Sequence, residues 1–127
     1  MPATYSVDRA RLLVVVTWPA IAPDIDVTRA AITAMLADAR LQPGFGVLSD
    51  WRQATEAASS AYVRDFIGLL RAAEQRGITK WATVVGPSSL AAYGAGRMAE
   101  IQSELEGLTY RVFRDYDDAL RWLMPDR

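Results

Sequence analysis

At 127 residues, 51% hydrophobic and 23% charged, the chain has the length and composition of one soluble globular domain, able to bury roughly two-thirds of the surface its unfolded form exposes. A formal net charge of -1 gives no field for nucleic acid, whose binding rests on Lys and Arg neutralising phosphates. The absence of both Cys and His excludes disulfides, thiol nucleophiles, Cys/His zinc sites, Ser-His dyads and imidazole acid/base chemistry.

The opening Met1-Pro2-Ala3-Thr4 has no basic stretch followed by a long apolar run, so no signal peptide is expected. The most apolar stretch, Leu12 to Trp18, is too short to cross a bilayer, and the expected setting is cytoplasmic. Tyr5-Ser6-Val7 reads as a short strand, followed by a turn at Asp8-Arg9-Ala10. The β-branched and aromatic run Leu12 to Trp18 then reads as the central strand, buried on both faces and ended by Pro19 and Pro23. Asp24 or Asp26 caps a helix with Ile32, Met35, Leu36 and Ala39 on its apolar stripe, ending near Arg40 before Pro43-Gly44.

Gly46 to Asp50 is read as a strand that carries Asp50 and Trp51 to its end. A longer helix follows from about 57 to 76, with Tyr62, Phe66, Leu69, Leu70 and Ala73 on one face and Gly77 as a left-handed stop. Trp81 to Val85 is the next strand, closed by Gly86-Pro87. Ser88 or Ser89 then caps a helix whose stripe is Leu90, Gly94, Met98, Ile101 and Leu105; this register turns Gly94 toward the sheet, where its missing side chain permits close approach. Tyr110 to Phe113 is the last strand. Asp115 caps a final helix with Ala119, Leu120 and Leu123 inward. The order β-β-α-β-α-β-α-β-α predicts an α/β fold: a mostly parallel five-stranded sheet with an antiparallel edge strand and helices on both faces, within a single domain over residues 1–127.

A double first strand, a third strand ending in Asp50, Trp81 to Val85 running into Gly86, and the close Tyr110-Arg111-Val112-Phe113-Arg114-Asp115 through Ala119-Leu120-Arg121-Trp122-Leu123 together carry a family likeness. The pattern resembles the SpoIIAA-like, or STAS-like, domains, which share a plan with anti-sigma factor antagonists and are broadly similar to CRAL-TRIO lipid-binding domains. The resemblance implies a non-enzymatic module that binds a protein partner or a small ligand. The antagonist branch carries a phosphorylated serine in an Asp-Ser-Ser-Gly turn. The nearest match here, Ala58-Ser59-Ser60-Ala61, lacks the Asp and the Gly, and Ser59 and Ser60 read as helix-cap chemistry without a phosphorylation switch.

Ligands of open parallel sheets bind beyond the strand carboxyl ends, where crossovers diverge to opposite faces. That rule nominates Asp50, Trp51, Arg52, Ser88, Ser89, Tyr93 and Arg97 as ligand-binding residues for a small apolar or anionic compound. Neither the Gly86 nor the Gly94-Ala95-Gly96 segment matches a phosphate-loop or dinucleotide fingerprint, and no cofactor is expected. Glu100, Glu104 and Glu106 read as a solvated helix face, with no metal site. Trp122 straddles core and surface and is assigned to the core; a homodimer is compatible with the sequence. The leading expectation is a binding or regulatory module without catalysis. The alternatives are a carrier of lipid or other apolar molecules and a small enzyme using Asp50 as base with Tyr93 as acid.

Overall fold

The computed structural model describes residues 3–54, 56–87 and 89–124. Five strands form one sheet in the order β1 (Thr4–Asp8), β2 (Leu13–Thr17), β3 (Gly46–Trp51), β4 (Lys80–Val85) and β5 (Tyr110–Phe113). β1 pairs antiparallel with β2 and all later pairs are parallel, so the fold is the expected α/β plan. The central strand is β3. The Leu12–Trp18 run, expected at the centre, occupies second place because each crossover advances the sheet one strand in the same direction. Leu12 itself lies in the β1–β2 turn with φ 53°.

Strictly sequential parallel order places the three crossover helices on one face of the sheet. α1 (Ile25–Leu36), α2 (Ser60–Gln75) and α3 (Leu90–Leu105) cover that face side by side. The short α4 (Tyr116–Leu123) covers β3, β4 and β5 on the other. Strand alternation divides the core accordingly. Val14, Val16, Val47, Trp81 and Tyr110 pack beneath α1 to α3, while Leu13, Leu48, Ala82 and Val84 meet Ala119 of α4. Trp122 packs against this second cluster, with its ring 5.7 Å from Phe113. The side chain of Lys80 on β4 donates to the Trp122 carbonyl at 3.0 Å and lies over the Trp122 ring.

Helix ends follow cap chemistry. Asp24 accepts from the amides of Asp26 and Val27 at the start of α1, Ser59 from Tyr62 in α2, Ser89 from Ala92 in α3, and Asp115 from Asp118 in α4. α1 ends at Leu36, short of the expected Arg40, and Ala39 is exposed beyond it. Gly77 follows α2 with φ +96°, and an added Cβ there would lie 2.6 Å from Pro43 Cα, so both conformation and space demand glycine.

The register of α3 differs from the expected one. Gly96, Ala99 and Ser103 face the sheet, while Leu90, Met98, Ile101 and Leu105 face outward. Gly94 meets nothing within 4 Å, whereas a Cβ at Gly96 would lie 2.8 Å from Val112 Cβ. The close approach is real but belongs to Gly96. The larger stripe would not fit where the helix axis sits this near β5, and the small stripe two residues out of phase does. Gly96→Ala is therefore expected to destabilise the fold by about 1 to 3 kcal/mol through overpacking. Gly94→Ala should be neutral or stabilise by up to about 1 kcal/mol through helix propensity. Urea unfolding of the two variants checks the register, and the opposite order would mean that α3 is rotated.

Candidate functional site

Small side chains on the sheet-facing side of α3 leave a wedge between α3 and α2 at the carboxyl ends of β3 and β4. The resulting cleft has a volume of about 60 Å³. Trp51 stands at one side, Ala92, Ala95 and Gly96 of α3 at another, and Tyr62 and Phe66 of α2 opposite them. Thr83 and Tyr110 contribute from the sheet, and Glu56 from the loop before α2.

The aromatic walls are braced from behind. Trp51 stacks on buried Trp18 with centroids 4.4 Å apart and planes within 9°. Trp18 in turn donates Nε1–H to Ser49 Oγ at 2.8 Å. Phe66 meets Tyr110 edge-on at 5.6 Å and Trp81 at 5.9 Å, a favoured geometry for aromatic pairs. The Tyr62 hydroxyl and Thr28 Oγ1, across on α1, lie 2.9 Å apart in a hydrogen bond. Burial pushes the Tyr62 phenol up to about 12, and the charge of Asp24 adds to the effect. Burial raises the Tyr110 phenol further, against the opposing influence of the Thr83 hydroxyl beside it. Both phenols are thus held neutral in an apolar setting.

The residues nominated from the sequence are distributed over three places. Of those among the described residues only Trp51 lines the cleft, and Asp50 is turned away from it because neighbouring residues of a strand point to opposite faces. Asp50 is buried on the α4 side, where Arg52 donates Nε–H to Oδ1 at 2.9 Å and Nη2–H to Oδ2 at 2.8 Å, and the Arg52 amide adds a bond to Oδ1 at 3.0 Å. The Arg52 guanidinium also sits 4.6 Å over the Tyr116 ring. Tyr93 and Arg97 lie near the β5 edge: Arg114 covers the Tyr93 ring at 4.3 Å and Arg97 pairs with Glu100. Ser89 is engaged as the α3 cap, Ser59 as the α2 cap, and Ser60 is the exposed first residue of α2. Ser88 lies outside the described residues. With all three crossover helices on one face there is no point where crossovers diverge, so the rule that nominated these residues applies only as far as the strand ends.

Tyr62, Phe66, Thr83, Tyr110, Glu56 and the small residues of α3 were not among the expected site residues. Two signals for them exist in the sequence: Thr83 is the lone hydroxyl between apolar residues of β4, and Ala92, Ala95, Gly96 and Ala99 recur at i, i+3, i+4 and i+7. Among the described residues no cluster of three or more carboxylates could hold a metal ion, and no helix is long and apolar enough to cross a membrane. The chain matches no protein-family model and no curated protein sequence.

The phenol of Tyr62 gives a pH dependence of definite sign. Below pH 10 the folded and unfolded chains both keep this proton; between 10 and about 12 only the unfolded chain loses it, so stability falls as pH rises through that window. Tyr62→Phe should make the alkaline loss of stability shallower, whatever it does to stability at neutral pH. Denaturant melts from pH 9 to 11.5, a range chosen to straddle the roughly 10 of a free phenol, test this; an unchanged slope would show that Tyr62 titrates normally.

Proposed function

We propose that the chain is a non-catalytic binding module of STAS-like plan that holds a small, largely apolar compound, neutral or carrying an amine, in the cleft between α2 and α3. The observation that carries this reading is the cleft's lining. It combines the four aromatic side chains of Trp51, Tyr62, Phe66 and Tyr110, small aliphatic side chains and a carboxylate at Glu56, with neither Arg nor Lys among the described residues that form it. Apolar walls with a few convergent polar groups are the usual form of a small-molecule site. An anionic ligand, one of the sequence expectations, would be desolvated beside Glu56 without a cation to meet it. A positively charged or neutral tip fits, since aromatic faces attract cations.

Size narrows the ligand. A cavity of roughly 150 Å³ holds one benzene, and the present volume of about 60 Å³ admits only a ring edge or short alkyl end. The rest of the ligand would lie across Trp51 at the mouth. A long acyl chain does not fit this cleft. Against the enzyme alternative stand the occupied Asp50 carboxylate on the opposite face and the two phenols, whose raised pKa values make them poor proton donors or acceptors at neutral pH.

Native mass spectrometry of the purified protein, followed by titration of tryptophan fluorescence with a panel of arylalkylamines and neutral aromatics, tests the proposal. Ala95→Leu should fill the cleft and abolish binding, and Trp51→Ala should weaken it by at least about 1 kcal/mol through lost aromatic contact. Arg52→Ala, on the other side of the sheet, should leave affinity unchanged. If Arg52→Ala removed binding while Ala95→Leu did not, the site would lie on the α4 side and the assignment would be wrong.

A further inference from the structure

Four of the six large hydrophobic side chains left exposed among the described residues sit on α3: Leu90 at 73% exposure, Met98 at 52%, Ile101 at 53% and Leu105 at 78%. They lie on the helix face opposite Gly96, Ala99 and Ser103, which pack toward the sheet. Ala91, Gly94, Met98, Ile101 and Leu105 are spaced three, four, three and four residues apart, the alternation of a helix-pairing seam. Past Leu90, which lies ahead of the paired span, the seam is graded from Ala91 and Gly94 to Met98, Ile101 and Leu105. Such a gradient is complementary to itself when the second helix runs antiparallel.

One register pairs Gly94, Met98, Ile101 and Leu105 with one another across two copies. Placing Gly94 opposite Leu105 of a second copy also places Met98 opposite Ile101 of that copy, because both pairs are symmetric about the same point between residues 99 and 100. The Leu105 side chain then enters the space that Gly94 leaves empty, where a Cβ would meet no described atom outside its own helical turn within 4 Å. Charges agree with this register. Arg97 and Glu104 share the β5 side of the stripe, and a two-fold axis brings that side against its equivalent. Arg97 then lies about 3 Å along the axis from the level of Glu104 of the second copy, at 1.5 Å per residue, and the pair occurs twice. Arg97 also contacts Glu100 on its own helix, while Glu104 makes no ion pair among the described residues. A parallel pairing would instead set Gly94 against Gly94 and Leu105 against Leu105, leaving a gap at one end and crowding at the other.

We propose that the outer face of α3 is a self-association surface, joining two copies of this chain through an antiparallel α3–α3 pair with Gly94 facing Leu105 and Arg97 facing Glu104. The interface is isologous, so one surface patch serves both partners. It does not depend on what occupies the cleft on the inner side of α3.

Sedimentation equilibrium across the micromolar range should show a monomer–dimer equilibrium. Ile101→Glu, at an exposed position, should weaken dimerisation at least about tenfold with circular dichroism and thermal unfolding of the monomer retained. Glu104→Arg should also weaken it, and the double variant Arg97→Glu/Glu104→Arg should recover most of the loss. Since the natural chain has no cysteine, the register is read directly: Gly94→Cys/Leu105→Cys should form an intermolecular disulfide on oxidation. Gly94→Cys alone should not, its two copies being roughly 16 Å apart along the axis. A chain monomeric at high micromolar concentration would overturn the proposal and leave the stripe for a different protein. So would a dimer indifferent to Ile101→Glu, or equal cross-linking of the single and double cysteine variants.

Discussion

The contact between Gly96 and Val112 sets the rotation of α3, and most of what distinguishes this molecule follows from that rotation. A helix held this close to a strand tolerates only small residues on its inner face, here Ala92, Gly96, Ala99 and Ser103. The large side chains of the same helix are then forced outward. On the inside, the missing volume next to Phe66 and Tyr62 becomes the cleft. Rotation also turns Glu100 to the sheet edge, where its Oε2 accepts the hydrogen bond of the Val112 amide at 3.0 Å. That amide would otherwise be an open donor on an edge strand, and its capture blunts the edge against pairing with other strands.

Strands, caps and stops were legible because each depends on local chemistry. The β-branched run of β2, the side-chain oxygens at Ser59 and Asp115 and the glycine at position 77 act through their own backbones or those a few residues away. The rotation of α3 was not legible. Its sequence carries two periodic stripes, one large and one small, and the rule that the larger stripe faces inward assumes that the sheet offers room. Room is decided by the distance from α3 to β5, a tertiary quantity that the α3 sequence does not encode by itself. Trp51 was found because a strand end is a local feature. Its partners were missed because Tyr62 and Phe66 reach the site through the packing of α2, and Ala92, Ala95 and Gly96 through the rotation just described. Asp50 and Arg52 were grouped with Trp51 by adjacency in sequence, which strand alternation converts into opposition in space.

The proposed ligand site and the proposed self-association surface lie on the two faces of α3. Its inner face bounds an open aromatic cleft beside Glu56, and its outer face presents an apolar ridge flanked by opposite charges. Both sit on one helix that the Glu100–Val112 bond and the Gly96 contact tie to β5, so displacement of α3 from β5 would alter the two together. The far side of the sheet is built differently. There the Asp50 carboxylate, buried, has both oxygens engaged by Arg52, whose half-exposed guanidinium also lies over the Tyr116 ring.

That far side depends on α4, an eight-residue helix too short to persist in water without the surface it covers. Lys80 is the single lysine of the chain, and its ammonium is held between the carbonyl and the ring of Trp122. A free amine attacks acylating reagents, so release of this amine from the Trp122 carbonyl when α4 lifts away is expected to raise its reactivity. The chain therefore carries its own gauge of local opening at one terminal element, and the rate at which that lysine is acylated would time the detachment of α4 separately from global unfolding.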